Sequence, residues 1–262
     1  MIKISVLGST GRMGKALIKL IRLDSALSLS GALCSVNSTS IGKPVFDDGT
    51  GPLYSSNYND VIKVSDVVID FTLPEALALN LRSASDHKKP IVIGVTGLSS
   101  YDLTLLKDTA ASIPILYDRN MSKGMHLFMN TISEVSRSLP VDCVANIHDE
   151  HHSGKKDSPS GTAIAIGELI AKERGLVFSD VACYESTKDS DIETVHKISF
   201  SSARIGETIG AHTVSFTGTH DQLEYTHRAL SRDLFADGAI KAAQWLIHQS
   251  SGLYSIKSML KD

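Results

Sequence analysis

Along the first half of the chain, short segments with the apolar spacing of a β-strand alternate with segments that have the spacing of a helix. Residues 2–7 alternate as in a β-strand, and the apolar spacing that follows indicates an amphipathic helix. The succession continues to residue 117, with predicted strands near 2–7, 27–34, 67–71, 91–94 and 113–117 and predicted helices near 12–23, 74–86 and 99–111. Strands that alternate with helices are typical of a mostly parallel sheet with crossovers. The pattern therefore predicts an α/β fold, a doubly wound Rossmann-type dinucleotide-binding domain.

The pattern changes after Asn120. Helices are predicted near 124–138 and 163–171, and strands near 142–148, 195–201, 212–219 and 222–228. The last strands follow one another without helices, which indicates an α+β domain with an antiparallel or mixed sheet. A final amphipathic helix over 234–248 must bury its apolar stripe, so we expect it to return to the first domain. The predicted domains are 1–121 with 232–262, and 122–231.

A glycine-rich turn joins the first predicted strand to the first helix. Its sequence over residues 8–14, GSTGRMG, spaces the glycines by three and puts Ser9 and Thr10 where the second glycine of G-x-G-x-x-G is usual. The order of strand, glycine turn and helix start suits a dinucleotide pyrophosphate, because the first N–H groups of the helix face the phosphates. An ordinary tight turn between a strand and a helix is the alternative, and the motif alone does not decide.

A second segment, HHSGKKDSPSGT at residues 151–162, carries the richest chemistry of the chain. It places two imidazoles and two ammonium groups before an apolar helical pattern, whose first turn contains Gly161 and Thr162. Unpaired N–H groups at a helix start favour a carboxylate or a phosphate. The segment therefore predicts binding and protonation of an acidic substrate. The alternative is a solvated loop in which Ser160 only caps the helix.

Composition and charge narrow the class of protein. The formal net charge of −3 argues against a nucleic-acid or membrane surface, because phosphate groups demand a strong basic excess. The three cysteines are odd in number and widely spaced, so they offer neither a disulfide framework nor a CxxC metal site, and no metal is expected. We find no signal-peptide pattern and no apolar run long enough to span a bilayer, so a reducing cytoplasm is expected.

With both halves in view, the chain resembles the 4-hydroxy-tetrahydrodipicolinate reductase (dihydrodipicolinate reductase) family, over essentially its whole length. The resemblance is carried by these segments: residues 8–14 (GSTGRMG), 70–75 (DFTLPE), 94–97 (GVTG), 120–124 (NMSKG), 151–163 (HHSGKKDSPSGTA), 210–213 (GAHT), 223–227 (LEYTH) and 231–239 (SRDLFADGA). The segment from His151 to Thr162 is highly specific for this family, whereas the glycine turn alone is not.

The resemblance implies reduction of a small dicarboxylate in the diaminopimelate and lysine pathway, with NADPH or NADH as the cofactor. It implies that His151 and Lys155 carry the proton chemistry. It further implies that 122–231 is a substrate-binding and oligomerisation domain, and that the protein is a homotetramer assembled through the sheets of this domain. The resemblance implies substrate binding by His152, Gly161 and Thr162 and cofactor binding by Gly8, Ser9, Thr10, Gly11, Arg12, Met13, Gly94, Val95, Thr96, Asp118, Arg119, Asn120 and Met121.

One position departs from the family pattern. NAD-selective folds present a carboxylate at the end of the second strand, and family members have Glu followed by Arg there. This chain has Cys34 and Ser35, so it lacks both the acid that would repel a 2′-phosphate and the arginine that would hold one. Cys34 is therefore included among the cofactor-binding positions, with Arg12 and Lys43 as candidate substitutes for the missing cation.

Other polar residues receive structural interpretations. Asp70 and Thr72 follow an apolar strand, where a carboxylate could orient the cofactor, but capping of the next helix before Pro74 is the more common role. His212, which lies in a predicted strand, is interpreted as a structural histidine, with a role near the domain boundary as the alternative. Arg232 fits either an interdomain partner or a surface position at the start of the last helix.

Two rival functions come from other classes. A metal-dependent hydrolase could use His148, Asp149, His151 and His152, but adjacent histidines at a strand end point to opposite faces, and the helical HExxH spacing does not occur. A non-catalytic dinucleotide sensor would keep the glycine turn and would need no proton donors. The presence of His151, His152 and Lys155 therefore argues for an enzyme.

Overall fold

The computed structural model describes residues 1–184 and 196–260 of the chain. The predicted strand near 195–201 starts at residue 195, which lies outside the described residues. The described strands are β1 Ile2–Leu7, β2 Leu27–Leu33, β3 Tyr54–Ser55, β4 Val67–Asp70, β5 Ile91–Ile93, β6 Pro114–Tyr117, β7 Val144–His151, β8 Ala182–Cys183, β9 Ile198–Arg204, β10 Gly210–Thr217, β11 Gln222–Ala229 and β12 Gly252–Tyr254. The α-helices are α1 Arg12–Leu23, α2 Tyr58–Ile62, α3 Leu77–Asp86, α4 Ser100–Ala110, α5 Lys123–Ser138, α6 Gly161–Glu173, α7 Phe178–Val181, α8 Asp233–Leu246 and α9 Ile256–Met259.

The chain divides into two compact units. Unit 1 comprises residues 1–123 and 232–262, and unit 2 comprises residues 124–231. None of the helices in residues 1–184 and 196–260 combines the length and apolar character that crossing a bilayer requires.

Unit 1 is built on a parallel sheet of seven strands in the order β12-β6-β5-β4-β1-β2-β3. Its strands are apolar almost throughout because both faces are covered, as parallel sheets require. Helices α1 and α8 bury Leu17 and Ala239 on one face, while α3 and α4 bury Leu81 and Leu106 on the other. The doubly wound α/β fold predicted from the alternating pattern is confirmed.

Unit 2 contains a mixed sheet of five strands in the order β11-β10-β7-β9-β8. Strand β10 is antiparallel to β7 and β11, whereas β9 is parallel to β7 and β8. Helices α5 and α6 cover one face, where Ile132 and Ile166 pack on Ile147 and Val214. The predicted mixed sheet is therefore confirmed.

The C-terminal end of β7 differs from the prediction, and this difference affects the candidate chemistry. Strand β7 continues to His151, beyond the predicted end near residue 148, so His151 lies on a strand and only the residues after it form the loop. The extension pairs with β9 as far as Arg204 and with β10 as far as Ala211. A rigid sheet therefore fixes the His151 backbone.

Candidate active site

The glycine turn of unit 1 is shaped by close contacts that only glycine permits. Gly8 has a φ of +77°, and a Cβ atom there would lie 2.9 Å from the Phe71 carbonyl oxygen. A Cβ on Gly14 would lie 2.3 Å from the Gly8 carbonyl oxygen, so the first turn of α1 sits directly against the loop. Ser9 is buried and donates its hydroxyl to the Leu33 carbonyl at 2.7 Å, which ties the turn to β2.

The start of α1 suits a dinucleotide pyrophosphate. Its N-cap is Gly11, and no side chain in the described part of the chain caps its first turn. The backbone N–H groups there have no helical partners, and the positive end of the helix dipole adds to their attraction for phosphate. Arg12 begins the helix and is exposed, so its guanidinium can reach a ligand at this edge. The residues present therefore fit the cofactor.

The remaining predicted cofactor-binding positions lie at the same edge of the sheet. Gly94, Val95 and Thr96 follow β5, and residues 118–121 follow β6; the carboxyl ends of parallel strands meet at one edge. The Phe71 ring lies so close to Gly94 that a Cβ there would come within 2.3 Å of it.

Three of the predicted cofactor positions also have structural contacts. Asp118 accepts hydrogen bonds from the Asn120 and Ile256 N–H groups at 3.2 Å each. Met121 is buried in the core of unit 1, and α8 passes so close to its carbonyl that only Gly238 fits there. Cys34 follows β2 as predicted but is only 6% exposed, and its N–H donates to the Ser55 carbonyl.

Asp70 has a structural role different from capping at Pro74. Its carboxylate accepts hydrogen bonds from the Thr72 N–H and hydroxyl and from the Asn80 amide. The side chain is fully buried, and burial raises its pKa despite these hydrogen bonds. Asp70 thus anchors the segment after β4 to α3.

The catalytic candidates lie in unit 2. His151 ends β7 on the face that α5 and α6 cover, and it is 9% exposed. Its Nδ1 lies 2.8 Å from an Asp149 carboxylate oxygen, and its edge-on neighbour is the His212 ring, with 5.2 Å between centroids. A Cβ atom on Gly210 would lie 3.1 Å from the His151 Nε2. Gly210 therefore lies beside Nε2 without a side chain that would cover it.

Asp149 is the hydrogen-bond partner of His151, and the sequence did not reveal this contact. It is completely buried and also accepts hydrogen bonds from Ser202 and Arg204 of β9. Burial alone would raise its pKa, but the hydrogen bonds from His151 and Ser202 and the Arg204 charge outweigh that effect and hold the pKa well below its usual range. The available signal was the spacing of two residues, which puts Asp149 and His151 on one face of a strand.

His212 of β10 joins His151 to the start of α6. Its Nε2 lies 3.1 Å from the Ser160 hydroxyl, and that hydroxyl accepts the Ala163 N–H as the N-cap of α6. The ring is 5% exposed, and burial, together with the His151 charge, lowers its pKa to about 4. His212 is therefore neutral at physiological pH, in agreement with a structural interpretation.

The loop after β7 carries the other ionic groups. The Lys155 ammonium lies 2.8 Å from the Asp157 carboxylate, and Lys155 is half-buried while Lys156 is exposed. Arg204 also donates to the Asp157 carbonyl, which connects the loop to β9. His152 is half-buried and is the first residue after β7. Gly161 and Thr162 begin α6, next to the Ser160 cap.

A metal centre receives no support from these positions. Alternation along β7 puts His148 and Glu150 on one face and Asp149 and His151 on the other. Across residues 1–184 and 196–260, no group of three or more His, Cys, Asp and Glu side chains is arranged to hold a metal ion.

Comparisons with known proteins identify the same family for both units. The family model described as "Dihydrodipicolinate reductase, N-terminus" matches residues 2–121, and that described as "Dihydrodipicolinate reductase, C-terminus" matches residues 124–260. A curated protein from Syntrophotalea carbinolica named 4-hydroxy-tetrahydrodipicolinate reductase is 39% identical over 264 residues, covering 99% of each chain. A protein of the same name from Pseudoalteromonas atlantica is also 39% identical and covers 98% of each chain.

Solved structures share the fold. A dipicolinate-bound dihydrodipicolinate reductase from Paenisporosarcina sp. TG-14 superposes with a TM-score of 0.74 at 21% identity, covering 97% of each chain. An amine dehydrogenase from Mycobacterium smegmatis superposes with a TM-score of 0.63 at 12% identity, covering 98% of this chain and 95% of that one. Since family models match nearly the whole chain, the resemblance seen in the sequence is confirmed, and this protein belongs to the dihydrodipicolinate reductase family of NAD(P)H-dependent oxidoreductases.

Proposed function

We propose that this chain reduces 4-hydroxy-tetrahydrodipicolinate to tetrahydrodipicolinate with loss of water, as a step of diaminopimelate and lysine biosynthesis in the cytoplasm. The observation that carries the proposal is that two family models together match nearly the whole chain, and each half contains a candidate site: the uncapped glycine turn of unit 1 and the His151 and Lys155 segment of unit 2. The bound NADPH or NADH would supply the hydride for the reduction.

Unit 1 holds the cofactor in this proposal. The N–H groups at the start of α1 bind the pyrophosphate, and Arg12 adds a charge beside them. Gly8 to Met13, Gly94 to Thr96 and Asp118 to Met121 surround the dinucleotide at the carboxyl edge of the sheet. Buried Ser9 and Met121 and half-buried Asp118 fix the backbone of these loops through the contacts described above.

Unit 2 supplies the proton. Hydride addition to a conjugated imine leaves an enamine-like anion, and a nearby cation both stabilises that charge and delivers a proton to it. His151 has its Nδ1 on Asp149, so its Nε2 is the nitrogen left for the substrate. Lys155 provides a second positive charge on the adjoining loop.

The start of α6 binds a substrate carboxylate. The Ser160 hydroxyl accepts a hydrogen bond from the Ala163 N–H. The N–H groups of Gly161 and Thr162, in the first turn, have no helical partners. A Cβ at Gly161 would meet no atom within 4 Å, so a ligand can approach the backbone there. With His152 and the Thr162 hydroxyl, these donors suit one carboxylate of a dicarboxylate, which would orient the ring for reduction.

The cofactor proposal extends to its selectivity. With Cys34 at the end of β2, no carboxylate at that position repels a 2′-phosphate, and Arg12 at the start of α1 can attract one. We expect NADPH to be used at least as well as NADH.

The chain assembles as a homotetramer in this proposal. The sheet face of unit 2 opposite α5 and α6 carries half-buried polar residues, among them Asn146, His148, Thr213 and Ser215. The apolar core of unit 2 lies on the α5 and α6 side of the sheet, and pairing of sheets between subunits would cover the other face. The molar mass from light scattering tests this point: four chains are expected, and a monomer at assay concentration contradicts it.

A chelator experiment separates the reductase from its rivals. Purified protein should oxidise NADPH or NADH only when enzymatically generated substrate is present, and the rate should not change with excess EDTA. Substrate turnover that needs no cofactor and is lost with EDTA would favour the metal-dependent hydrolase. Cofactor binding without any substrate-dependent oxidation would favour the non-catalytic dinucleotide sensor.

A further inference from the structure

The buried carboxylate of Asp149 is the common partner of groups from two strands. It accepts hydrogen bonds from His151 on its own strand and from Ser202 and Arg204 on β9, and it has no exposed surface. A buried carboxylate stays ionised only when hydrogen bonds and a cation compensate for lost solvation. Here both are present, and they hold its pKa well below the usual range in spite of burial. The carboxylate is therefore negatively charged beside the His151 ring.

We propose that Asp149 is a positioning residue that makes Nε2 the proton-donating nitrogen of His151, and that Arg204 holds this pair in register with the Lys155 loop. The inference rests on the proposed function, because it assigns a role in the delivery of the proton. An ionised carboxylate retains the Nδ1 proton, so the imidazolium releases its proton from Nε2 and remains as the Nδ1–H tautomer. The proton passes to the reduced substrate ring, and Asp149 keeps its charge throughout.

The surroundings of His151 leave Nε2 as the reacting atom. Gly210 of β10 carries no side chain where a Cβ would lie 3.1 Å from Nε2. His212 of the same strand packs edge-on against the ring, and its pKa of about 4 keeps it neutral. In the described part of the chain, Asp149 pairs with both His151 and Arg204, and Lys155 pairs with Asp157 on the adjoining loop.

Arg204 connects the two proton-bearing residues. Its guanidinium donates to Asp149 at 3.2 Å and also to the backbone carbonyl of Asp157, whose side chain pairs with Lys155. The planar fork of arginine can serve both acceptors at once, whereas the single ammonium of lysine cannot replicate that geometry. The guanidinium therefore fixes where the Lys155 loop lies relative to His151.

The primary test replaces Asp149 by its amide. Asp149→Asn should lower kcat by about a hundred- to ten-thousandfold, with little change in the Michaelis constant for substrate, because the amide no longer retains the Nδ1 proton. Asp149→Glu restores the carboxylate and should recover part of the lost kcat. Glu150→Gln is the matched control, since Glu150 is the next residue of β7, lies on the opposite face and pairs with Arg228.

A second readout is independent of activity. In protein labelled with nitrogen-15 histidine, the His151 ring, assigned by its loss in His151→Gln, should be the Nδ1–H tautomer when neutral. Asp149→Asn should shift the ring towards the Nε2–H tautomer, and Glu150→Gln should not. A wild-type Nε2–H tautomer, or an unchanged tautomer and kcat in Asp149→Asn, overturns the proposal. If Asp149→Asn does not fold, the wild-type spectrum still decides.

Arg204→Lys tests the connection to the loop. The variant keeps a positive charge for Asp149, so the His151 tautomer should persist, while kcat falls by at least about tenfold because the Asp157 carbonyl loses its donor. A wild-type kcat in Arg204→Lys refutes the role of Arg204. Absence of reductase activity in the wild-type protein, with the Nδ1–H tautomer present, would refute the proposed reaction and leave the Asp149 contact as a structural one.

Discussion

At the scale of single residues, His151 and Lys155 carry the largest expected effects. Replacing either, as in His151→Gln or Lys155→Ala, should lower turnover by roughly two to four decades, because each provides a positioned proton or charge to the reacting ring. Binding of NADPH, followed by fluorescence titration, should stay intact since the cofactor residues lie in unit 1. The double variant should lose less than the product of the two single losses, because both residues serve one developing charge.

The control for this pair is Lys156→Ala, which removes the neighbouring exposed ammonium and should leave turnover close to wild type. Near wild-type turnover in both His151→Gln and Lys155→Ala would contradict the assignment of the site.

Cys34 decides the expected cofactor selectivity. Cys34→Glu should shift the ratio of kcat/KM values towards NADH, since the carboxylate can accept the ribose hydroxyls and repels a 2′-phosphate. Cys34 is buried, so Cys34→Gln serves as the size-matched control for any disturbance of the β2 end. Raised ionic strength should weaken NADPH binding more than NADH binding in the wild type. A wild-type enzyme that uses NADH and ignores NADPH would show that other residues set selectivity.

The sequence predicted candidates for the proton chemistry, but it did not reveal the residues that contact them. Residue type and spacing singled out His151 and Lys155, because two imidazoles and two ammonium groups before a helix start are unusual. The role of Arg204 depends on the pairing of β9 with β7, which brings residues 55 positions apart into hydrogen-bond distance. Such long-range pairing is set by the fold and leaves no local signal in the chain.

At the scale of elements, the start of α6 is expected to anchor the substrate. Thr162→Val removes a hydroxyl and should weaken substrate binding by roughly 1 to 3 kcal/mol, the range for a hydrogen bond to a charged group. Thr162→Ser, which keeps the hydroxyl, is the matched control. The measurement is the Michaelis constant for substrate and the inhibition constant of pyridine-2,6-dicarboxylate, which should compete with substrate. Unchanged constants in Thr162→Val would mean that the hydroxyl contributes nothing to anchoring.

Long elements were predictable and short ones were not. The apolar periods of α1, α5 and α8 gave helices close to those observed, whereas β3, α2, β12 and α9 have at most five residues each and no clear period. The predicted end of β7 comes too early because the last buried positions of the strand are Asp149 and His151 rather than apolar residues. The error arose where buried polar groups replace the apolar pattern, which is where the candidate site lies.

At the scale of the whole molecule, burial of His212 links stability to pH. Its folded-state pKa of about 4 lies below the ordinary 6.5, so the unfolded chain binds more protons between these values. The free energy of unfolding should therefore fall as the pH drops from 6.5 towards 4, with a slope of at most about 1.4 kcal/mol per pH unit from this residue. The lowered pKa of Asp149 acts in the same direction, mainly below its ordinary 3.8, so it adds to the slope only at the acid end of this window.

Urea titrations across this pH range can isolate the contribution of His212. His212→Gln should flatten the dependence, while His220→Gln, at an exposed histidine, should leave it unchanged. Some slope should remain from His227, whose pKa burial also lowers. An identical slope in His212→Gln and wild type would contradict the assigned burial effect.

The fold class was predictable from the sequence, but the order and pairing of the strands were not. Alternating strands and helices give a parallel sheet, because parallel strands need crossovers, but the order β12-β6-β5-β4-β1-β2-β3 depends on which strands meet in space. The parallel pairing of β9 with β7 likewise could not be read from successive strand patterns, which fit an antiparallel sheet equally well.

The most direct test of the central claim follows the transferred hydrogen itself. Wild-type protein is incubated with enzymatically generated substrate and NADPH or NADH that carries deuterium at both positions of the nicotinamide C4, and the product is examined by mass spectrometry. Our account predicts tetrahydrodipicolinate containing one deuterium for each cofactor molecule oxidised. Tetrahydrodipicolinate without deuterium, or no product from either cofactor, would contradict it.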